Sequence, residues 1–375
     1  MLDSLQIKNF RNLKELKIGH VDRINLITGK NNTGKSSILE AIAIYASRGD
    51  FSQIFQLLDY RGENFSQKNH SSTDSNESRD LIIKSLSAMF TGRAVNFYDE
   101  VTIFVGNINE GVHQSEKYIT LRFVKYYDEI LKNEQGESFR RKIANISKEE
   151  IYDDFKIGME ITSEKEGVIL PLVGDVPYRH GFKGVNNREN FQFIRTANID
   201  KETNGKLFDH ITLTEKEKYV IEALRIIEPT TERIAFIGEN PRERTAVIKL
   251  SNVSEVLPLR SMGDGINRIL TIILALANSD NGFLLLDEFE NGLHYTVQEK
   301  LWKIIFELSK VLNVQVFATT HSEDCISGFQ RVLNNADNSQ TGKLIRLDNS
   351  NGNIKSVEYS PRELQIACEQ DIEAR

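Results

Sequence analysis

The octet Gly29-Lys30-Asn31-Asn32-Thr33-Gly34-Lys35-Ser36 has the spacing G-x-x-x-x-G-K-[ST]. Glycines at its two ends let the backbone turn tightly, so that successive N–H groups can point at one anion. The helix expected from Lys35 would add its positive dipole end. In that arrangement Lys35 would neutralise the β- and γ-phosphates of a nucleotide, and the Ser36 hydroxyl would ligate Mg²⁺. A chance glycine-rich turn would also fit eight letters. The apolar run before it and the helical pattern after it argue for the phosphate loop.

Two further strings could complete such chemistry. In Phe283-Leu284-Leu285-Leu286-Asp287-Glu288, four apolar residues bury a strand and deliver Asp287 to its carboxyl edge, where open α/β sheets bind ligands. Asp287 would hold the metal through water. Glu288, one residue on, could orient or deprotonate a water in line with the γ-phosphate. Taken alone, an Asp-Glu pair is more often solvated surface. Val316-Phe317-Ala318-Thr319-Thr320-His321-Ser322 ends another apolar strand in polar residues. A lone histidine is usually structural, but His321 follows the acidic pair by one strand-helix unit and could contact the γ-phosphate. Ser261-Met262-Gly263-Asp264-Gly265 precedes an apolar helix and offers a second anion-binding terminus. Its plain alternative is an ordinary helix cap. One chain with one phosphate loop has no need of a second such site, unless that site serves the nucleotide of a second subunit.

These residues need a scaffold. Leu2 to Phe10 and Leu13 to Ile18 alternate as paired strands, and Arg23 to Thr28 is a short apolar strand. Lys35 to Ala46 carries Ile38, Ala41, Ile42 and Tyr45 at helical spacing. Asn64 to Arg79 is polar and reads as a solvated loop. Strands are expected at Val101–Val105, Tyr118–Val124, Lys156–Thr162 and Val168–Val173, with a charged helix over Ser138–Tyr152 between them. From Phe191 the first pattern resumes. Helices are expected at Glu215–Ile227, Ile266–Ala277 and Val297–Leu308, and strands at Ile234–Ile237, Thr245–Leu250, Phe283–Leu286, Val314–Thr319, Lys343–Leu347 and Ile354–Tyr359, with a last helix from Pro361. Alternating apolar strands and helices imply an α/β sheet with a largely parallel centre. The expected division is one unit of 1–63 and 187–375 interrupted by an α+β lobe of 64–186.

Composition narrows the class. At 375 residues the chain can bury a substantial core. No run approaches the roughly 20 apolar residues of a membrane helix, and the start has no apolar signal core. Two cysteines, Cys325 and Cys368, cannot build a disulfide framework or a thiolate zinc site; a reducing cytosol and a cytoplasmic protein are expected. The charge of −7 argues against a surface coated for DNA. Arg140-Arg141-Lys142 and Arg242, Arg244 and Lys249 could still form a local phosphate-binding groove, although ordinary solvated charge explains them as well.

The ordered set resembles the ABC-type ATPase heads of the P-loop NTPase fold. It runs from the phosphate loop through Ser-x-Gly-x-Gly, apolar-Asp-Glu and an Asn291-Gly292-Leu293-His294 turn to the histidine. Within them it looks like the RecF/SMC/OLD-like branch. The opening Ile7-Lys8-Asn9-Phe10-Arg11-Asn12-Leu13, the loop extended by Ser37, and Asp287-Glu288-Phe289-Glu290-Asn291-Gly292-Leu293-His294 carry that likeness. It covers residues 1–60 and about 190–375. The resemblance implies bound ATP and Mg²⁺. Gly29, Asn31, Asn32, Thr33, Gly34, Lys35, Ser36 and Ser37 would lie on the nucleotide with Asn291, and Ser261, Gly263 and Gly265 would reach a partner's nucleotide. Ser36 and Asp287 are the implied metal residues; Glu288, His321 and Lys35 are the catalytic ones. Phe289 stands where a proline is usual, which should alter the turn more than the chemistry. Gln192 is the candidate glutamine-loop residue.

OLD-like nucleases carry a Toprim domain after the ATPase, and residues 322–375 are too few for one. Any nuclease or toxin effector is therefore expected on a separate chain, as in related stand-alone ATPases of anti-phage defence. The expected function is an ATP-hydrolysing head that dimerises around nucleotide and regulates that effector, without membrane attachment. A RecF-like DNA-repair ATPase that binds DNA and an ATP-binding scaffold with little hydrolysis are the alternatives.

Overall fold

The structure is a computed structural model. It describes the chain except residues 66–74, 96, 98–100, 109–116, 133–137, 146–154, 164–165, 173–188, 197–200, 241–243, 336–337, 339–340 and 371–375. The chain opens with the hairpin β1 (Leu5–Phe10) and β2 (Leu13–Ile18), then β3 (Ile24–Gly29), α1 (Lys35–Ala46) and α2 (Phe51–Tyr60). Next come α3 (Ser75–Ser87), β4 (Ile103–Gly106), β5 (Tyr118–Lys132), β6 (Ser138–Asn145), β7 (Lys156–Ser163) and β8 (Glu166–Pro171). After β9 (Phe191–Ile194) follow α4 (Lys201–Ile211), α5 (Glu217–Leu224), β10 (Thr231–Ile237), β11 (Thr245–Leu250) and β12 (Val256–Pro258). The last third holds α6 (Asp264–Ala277), β13 (Phe283–Leu286), α7 (Tyr295–Val311), β14 (Gln315–Thr319), α8 (Glu323–Leu333), β15 (Gly342–Ser350), β16 (Asn353–Tyr359) and α9 (Pro361–Glu369).

A six-stranded sheet in the order β16-β15-β3-β14-β13-β9 organises the site. Its strands are parallel except β16, which pairs antiparallel with β15. Every residue of β3, β13 and β14 is buried. Such strands must be covered on both faces, which accounts for their unbroken apolar runs. Leu284, Leu286, Val316 and Ala318 face a core shared with α6 and α7. Phe283, Leu285 and Phe317 face a second core, shared with α1 and the β1–β2 hairpin. Helix α1 therefore lies between two sheets, and only Ser36 of its residues escapes full burial. Apolar side chains all round the helix are what such a place demands.

The second sheet runs β2-β1-β4-β5-β7-β8, with β6 on β5. The strands between residues 103 and 171 thus extend the opening hairpin edge to edge rather than forming a sheet of their own. A smaller sheet, β10-β11-β12, leads into α6.

Two expectations fail here. The helix over Ser138–Tyr152 is instead the strand β6 as far as Asn145, and the remainder lies outside the described residues. Strand β5 runs on past Val124 to Lys132 and supplies a partner, with Tyr127 opposite Ile143 and Leu131 opposite Phe139. Charge content points to the wrong element; the strand forms because β5 offers it an edge. The polar stretch Asn64–Arg79 is not loop throughout, because α3 begins at Ser75. Ile82 and Leu86, 2% and 0% exposed, dock that helix and carry its polar first turns with them. Cys325 is buried and Cys368 half-buried, both as free thiols. Among the described residues no helix is long and apolar enough to cross a membrane.

Candidate active site

The phosphate loop joins β3 to α1 where the sheet ends. Gly29 has φ +138°, and a Cβ there would lie 2.5 Å from the Leu347 carbonyl oxygen. Gly34 has φ +90°, and its Cβ would meet Leu13 Cδ2 at 2.8 Å. Gly29 thus excludes a side chain on conformational and steric grounds together, and Gly34 on its conformation. The β1–β2 turn braces the loop from outside. Asn12 Nδ2 donates to the Asn32 carbonyl at 3.2 Å, and the Ser37 hydroxyl donates to Asn12 Oδ1 at 3.1 Å. The Thr33 hydroxyl closes the loop on the Lys30 carbonyl at 2.8 Å. Lys35 Nζ donates to the carbonyls of Gly29 and Lys30 at 2.7 and 3.0 Å. Burial lowers the Lys35 ammonium to about 8, against the pull of Asp287, Glu288 and Glu290. Asn31 and Asn32 are exposed at the mouth.

Strand β13 delivers Asp287 to this point. The Ser36 hydroxyl donates to Asp287 Oδ1 at 3.1 Å, and the Thr319 hydroxyl donates to the same oxygen at 2.7 Å. A hydroxyl and a carboxylate side by side are hard oxygen donors suited to Mg²⁺. Ser36 and Asp287 would hold that ion, which would supply charge neutralisation at the phosphates.

Glu288 has φ +49°, a left-handed conformation rare outside glycine. Neighbouring groups hold it there. Its N–H donates to Thr319 Oγ1 at 2.9 Å, and its carbonyl accepts from Arg268 Nη2 at 3.1 Å. The residue is half-buried, and its charge acts on Lys35. Phe289, in the usual proline position, stacks on Trp302 with centroids 4.0 Å apart and planes 9° apart. The aromatic pair anchors the turn that a proline would have stiffened.

His321 follows β14 and lines one cavity of about 1000 Å³ with Asn31, Asn32, Gly34, Lys35, Ser36 and Ser37. Glu290 sets its backbone. One carboxylate oxygen accepts from the His321 N–H at 2.8 Å, the other from the Thr320 hydroxyl at 2.8 Å.

Lys35, Ser36, Asp287, Glu288 and His321 are thus brought together. Asn291 lies at the margin, where Nδ2 donates to the Thr196 carbonyl at 3.1 Å. The signature residues stand apart. Ser261 is in a short 3-10 turn, its hydroxyl on the Pro258 carbonyl at 2.7 Å. Gly263 has φ +96° and ψ 165°, and among the described residues no atom beyond its chain neighbours lies within 4 Å of a Cβ built on it. Gly265 is in the first turn of α6, 3.2 Å in the same sense from the Gly292 carbonyl. Among the described residues no hydrogen bond joins these three to the phosphate loop.

Three participants were not legible in the motifs. Thr319 reads as the last residue of a strand, and Glu290 as one more acid in a turn. Arg268, 6% exposed, reaches from α6 to the carbonyls of Arg195, Asp287 and Glu288 at 3.2, 3.0 and 3.1 Å. A lone arginine in the apolar run Ile266–Ala277 was its only sequence signal. Gln192 pairs with Leu284, three residues short of Asp287 and about 10 Å from it along the strand. Of the basic clusters, Arg140, Arg141 and Lys142 lie on β6. Arg244 is held by both oxygens of Asp209 and Lys249 by the carbonyls of Val253 and Ser254. Arg242 lies outside the described residues.

A phosphate loop on a buried parallel sheet, an acidic strand end beside it and a separate glycine-led helix define an ABC-type ATPase head of the RecF/SMC branch, an enzyme that hydrolyses ATP. The chain belongs to the AAA_21 family, described as "AAA domain, putative AbiEii toxin, Type IV TA system", whose model matches residues 24–324. It is 25% identical over 362 residues to a protein of Helicobacter pylori named ATP/GTP phosphatase, covering 92% of each chain. A stretch of 44 residues is 57% identical to the DNA double-strand break repair Rad50 ATPase of Archaeoglobus fulgidus, 12% of this chain and 5% of that one. Among solved structures, an SMC head bound to the C-winged helix domain of ScpA is similar at TM-score 0.49 and 15% identity, covering 96% of this chain and 98% of the other.

Proposed function

We propose that this chain is an ATP-driven head that dimerises around nucleotide and so controls a separately encoded effector in anti-phage defence. In this reading Lys35 and the loop N–H groups bind the phosphates, and Ser36 and Asp287 hold Mg²⁺. Glu288 orients the attacking water, and His321 contacts the γ-phosphate. Ser261, Gly263 and Gly265 complete the nucleotide site of a second copy. ATP supplies contacts on both sides of the interface and hydrolysis removes them, so nucleotide state sets the dimer population.

One observation carries the dimer: a glycine-led helix start that is exposed and unconnected to the chain's own phosphate loop. A family whose description names a putative toxin of a toxin–antitoxin system supports the defence context. In this reading the surface contributed by residues 64–186 recognises the partner, since the head residues are committed to ATP, and the protein works in the cytoplasm. The short likeness to a Rad50 ATPase favours DNA repair as the second reading; the internal bonds of Arg244 and Lys249 weaken it.

Light scattering on Glu288→Gln tests the proposal. With ATP and Mg²⁺ this variant should double in mass, and with ADP it should remain a monomer. A mass independent of nucleotide would contradict the dimer. Co-purification with the product of the adjacent gene tests the effector, and ATP-stimulated, salt-sensitive DNA binding would favour repair instead.

A further inference from the structure

Strand β9 is the edge of the parallel sheet, and its end lies against the acidic pair. Ile194 pairs with Leu286, and the Asp287 N–H donates to the Ile194 carbonyl at 2.8 Å. Arg195 is therefore the residue beside Asp287 at the carboxyl edge. Side chains alternate along a strand. Phe191 and Phe193 pack on the α1 side of the sheet, as do Phe283 and Leu285. Arg195 and Asp287 fall on that same side, where α1 begins with Lys35 and Ser36.

The guanidinium is held in a defined place. It lies 4.2 Å from the ring centroid of Tyr60, at the end of α2, and 4.7 Å from that of Phe193. Its backbone is fixed by Arg268, and the next residue by Asn291. Among the described residues its side chain makes no hydrogen bond or ion pair. Burial disfavours its charge, while Glu40, Tyr60 and Asp287 favour it. An arginine keeps its proton under such opposition. The result is a fixed cation, aromatic on two sides, with its donors uncommitted at the edge of a phosphate site. Next to an Asp287 that holds Mg²⁺, anionic oxygens between the two cations would add to the stabilisation that Glu40 already gives the guanidinium.

We propose that Arg195 is a nucleotide-contacting residue whose guanidinium binds the terminal phosphate of ATP, so that β9 contributes a cation and Gln192 contributes nothing to the site. This rests on the reading of the phosphate loop as the ATP site. The loop and Lys35 hold the phosphates of ATP and ADP alike. Arg195 stands at the Asp287–Glu288 end, where only the γ-phosphate reaches, and it distinguishes the two nucleotides.

Equilibrium titration of the full chain with fluorescent ATP and ADP analogues in Mg²⁺ tests this. Arg195→Ala should weaken ATP binding about 10–100-fold, the range for one charge-assisted hydrogen-bonded contact. ADP binding should change less than about twofold. Arg195→Lys should recover part of the ATP affinity, and Tyr60→Leu should lose ATP over ADP to a smaller degree. Equal losses for both nucleotides, or unchanged ATP affinity, would overturn the proposal and leave Arg195 a packing residue between α2 and β9. Lys35→Ala keeps the two ideas separable. If it binds both nucleotides like the parent, the phosphate-loop reading has failed; if it binds neither while Arg195→Ala shows no selectivity, only the Arg195 assignment has failed.

Discussion

Helices α1 and α6 each begin just after a glycine at positive φ, yet their surroundings are opposite. At Gly34 the backbone is packed against Leu13 and Asn12, and the following Lys35 is 6% exposed. At Gly263 no described residue beyond its chain neighbours lies within 4 Å of where a Cβ would stand, and both Gly263 and Ser261 are exposed. The first start is prebuilt: Asn12 and Thr33 brace its loop, so reorganisation on binding costs little. The second has the same backbone equipment and no neighbour. A φ of +96° with ψ near 165° is a region almost reserved for glycine, so the chain keeps a demanding conformation at a place where its own fold makes no use of it. Between the two stands Glu288, also at positive φ, tied through Thr319 to one side and through Arg268 to helix α6 on the other.

That contrast can be broken in order of expected effect. Glu288→Gln should cut kcat by about 10²–10⁴-fold in a steady-state phosphate-release assay, because it removes the water-orienting base and leaves both helix starts intact. Hydrolysis at the parental rate would remove Glu288 from its role. Lys35→Ala should weaken ATP and ADP binding alike by roughly 10–150-fold, the loss of a charged donor inside a prebuilt site; calorimetry would read it directly. Gly263→Val should leave single-copy nucleotide affinity within about twofold while lowering turnover at least tenfold, since only the assembled site needs that backbone. A melting curve shows whether the fold survives, and Ser261→Arg serves as a second variant with no backbone strain. The smallest effect is on pH. Lys35, lowered to about 8, loses its charge above that pH. Nucleotide phosphates favour the charged form, so binding takes up a proton there. ATP affinity should be flat below pH 8 and fall above it, by at most about tenfold per pH unit. A profile flat to pH 9.5 would show that Lys35 keeps its proton in the free protein.

Sequence legibility follows the same divide. The phosphate loop is readable because all its parts are contiguous and each has a local reason. Gly29 and Gly34 turn the backbone, and the apolar strand and helix flank them. Asp287 is readable because four buried residues point to it. Parallel order in the central sheet follows from strands that are apolar throughout. What cannot be read depends on distant pairing. Strand β6 exists because β5 runs eight residues beyond its apolar start, and nothing within Ser138–Asn145 says so. Thr319, Glu290 and Arg268 act through bonds to residues 19 to 73 positions away. Arg195 belongs to no motif, and Gln192, three residues early, is the residue of β9 that a glutamine loop would suggest. Phe289 in place of proline is visible in the sequence, but its meaning requires Trp302, half a helix on.

The central claim is that the open helix start of one copy completes the prebuilt site of another. Mixing two impaired variants tests it most directly. Lys35→Ala lacks the phosphate loop's lysine and Gly263→Val lacks the second start, so each alone should hydrolyse ATP far more slowly than the unaltered chain. In a mixed dimer one of the two sites joins an intact loop to an intact Gly263. Equimolar mixing should therefore restore phosphate release well above the sum of the separate proteins, with a dependence on total concentration. Activity that stays at that sum, under conditions where the unaltered chain is active, would show that each copy hydrolyses ATP without its neighbour.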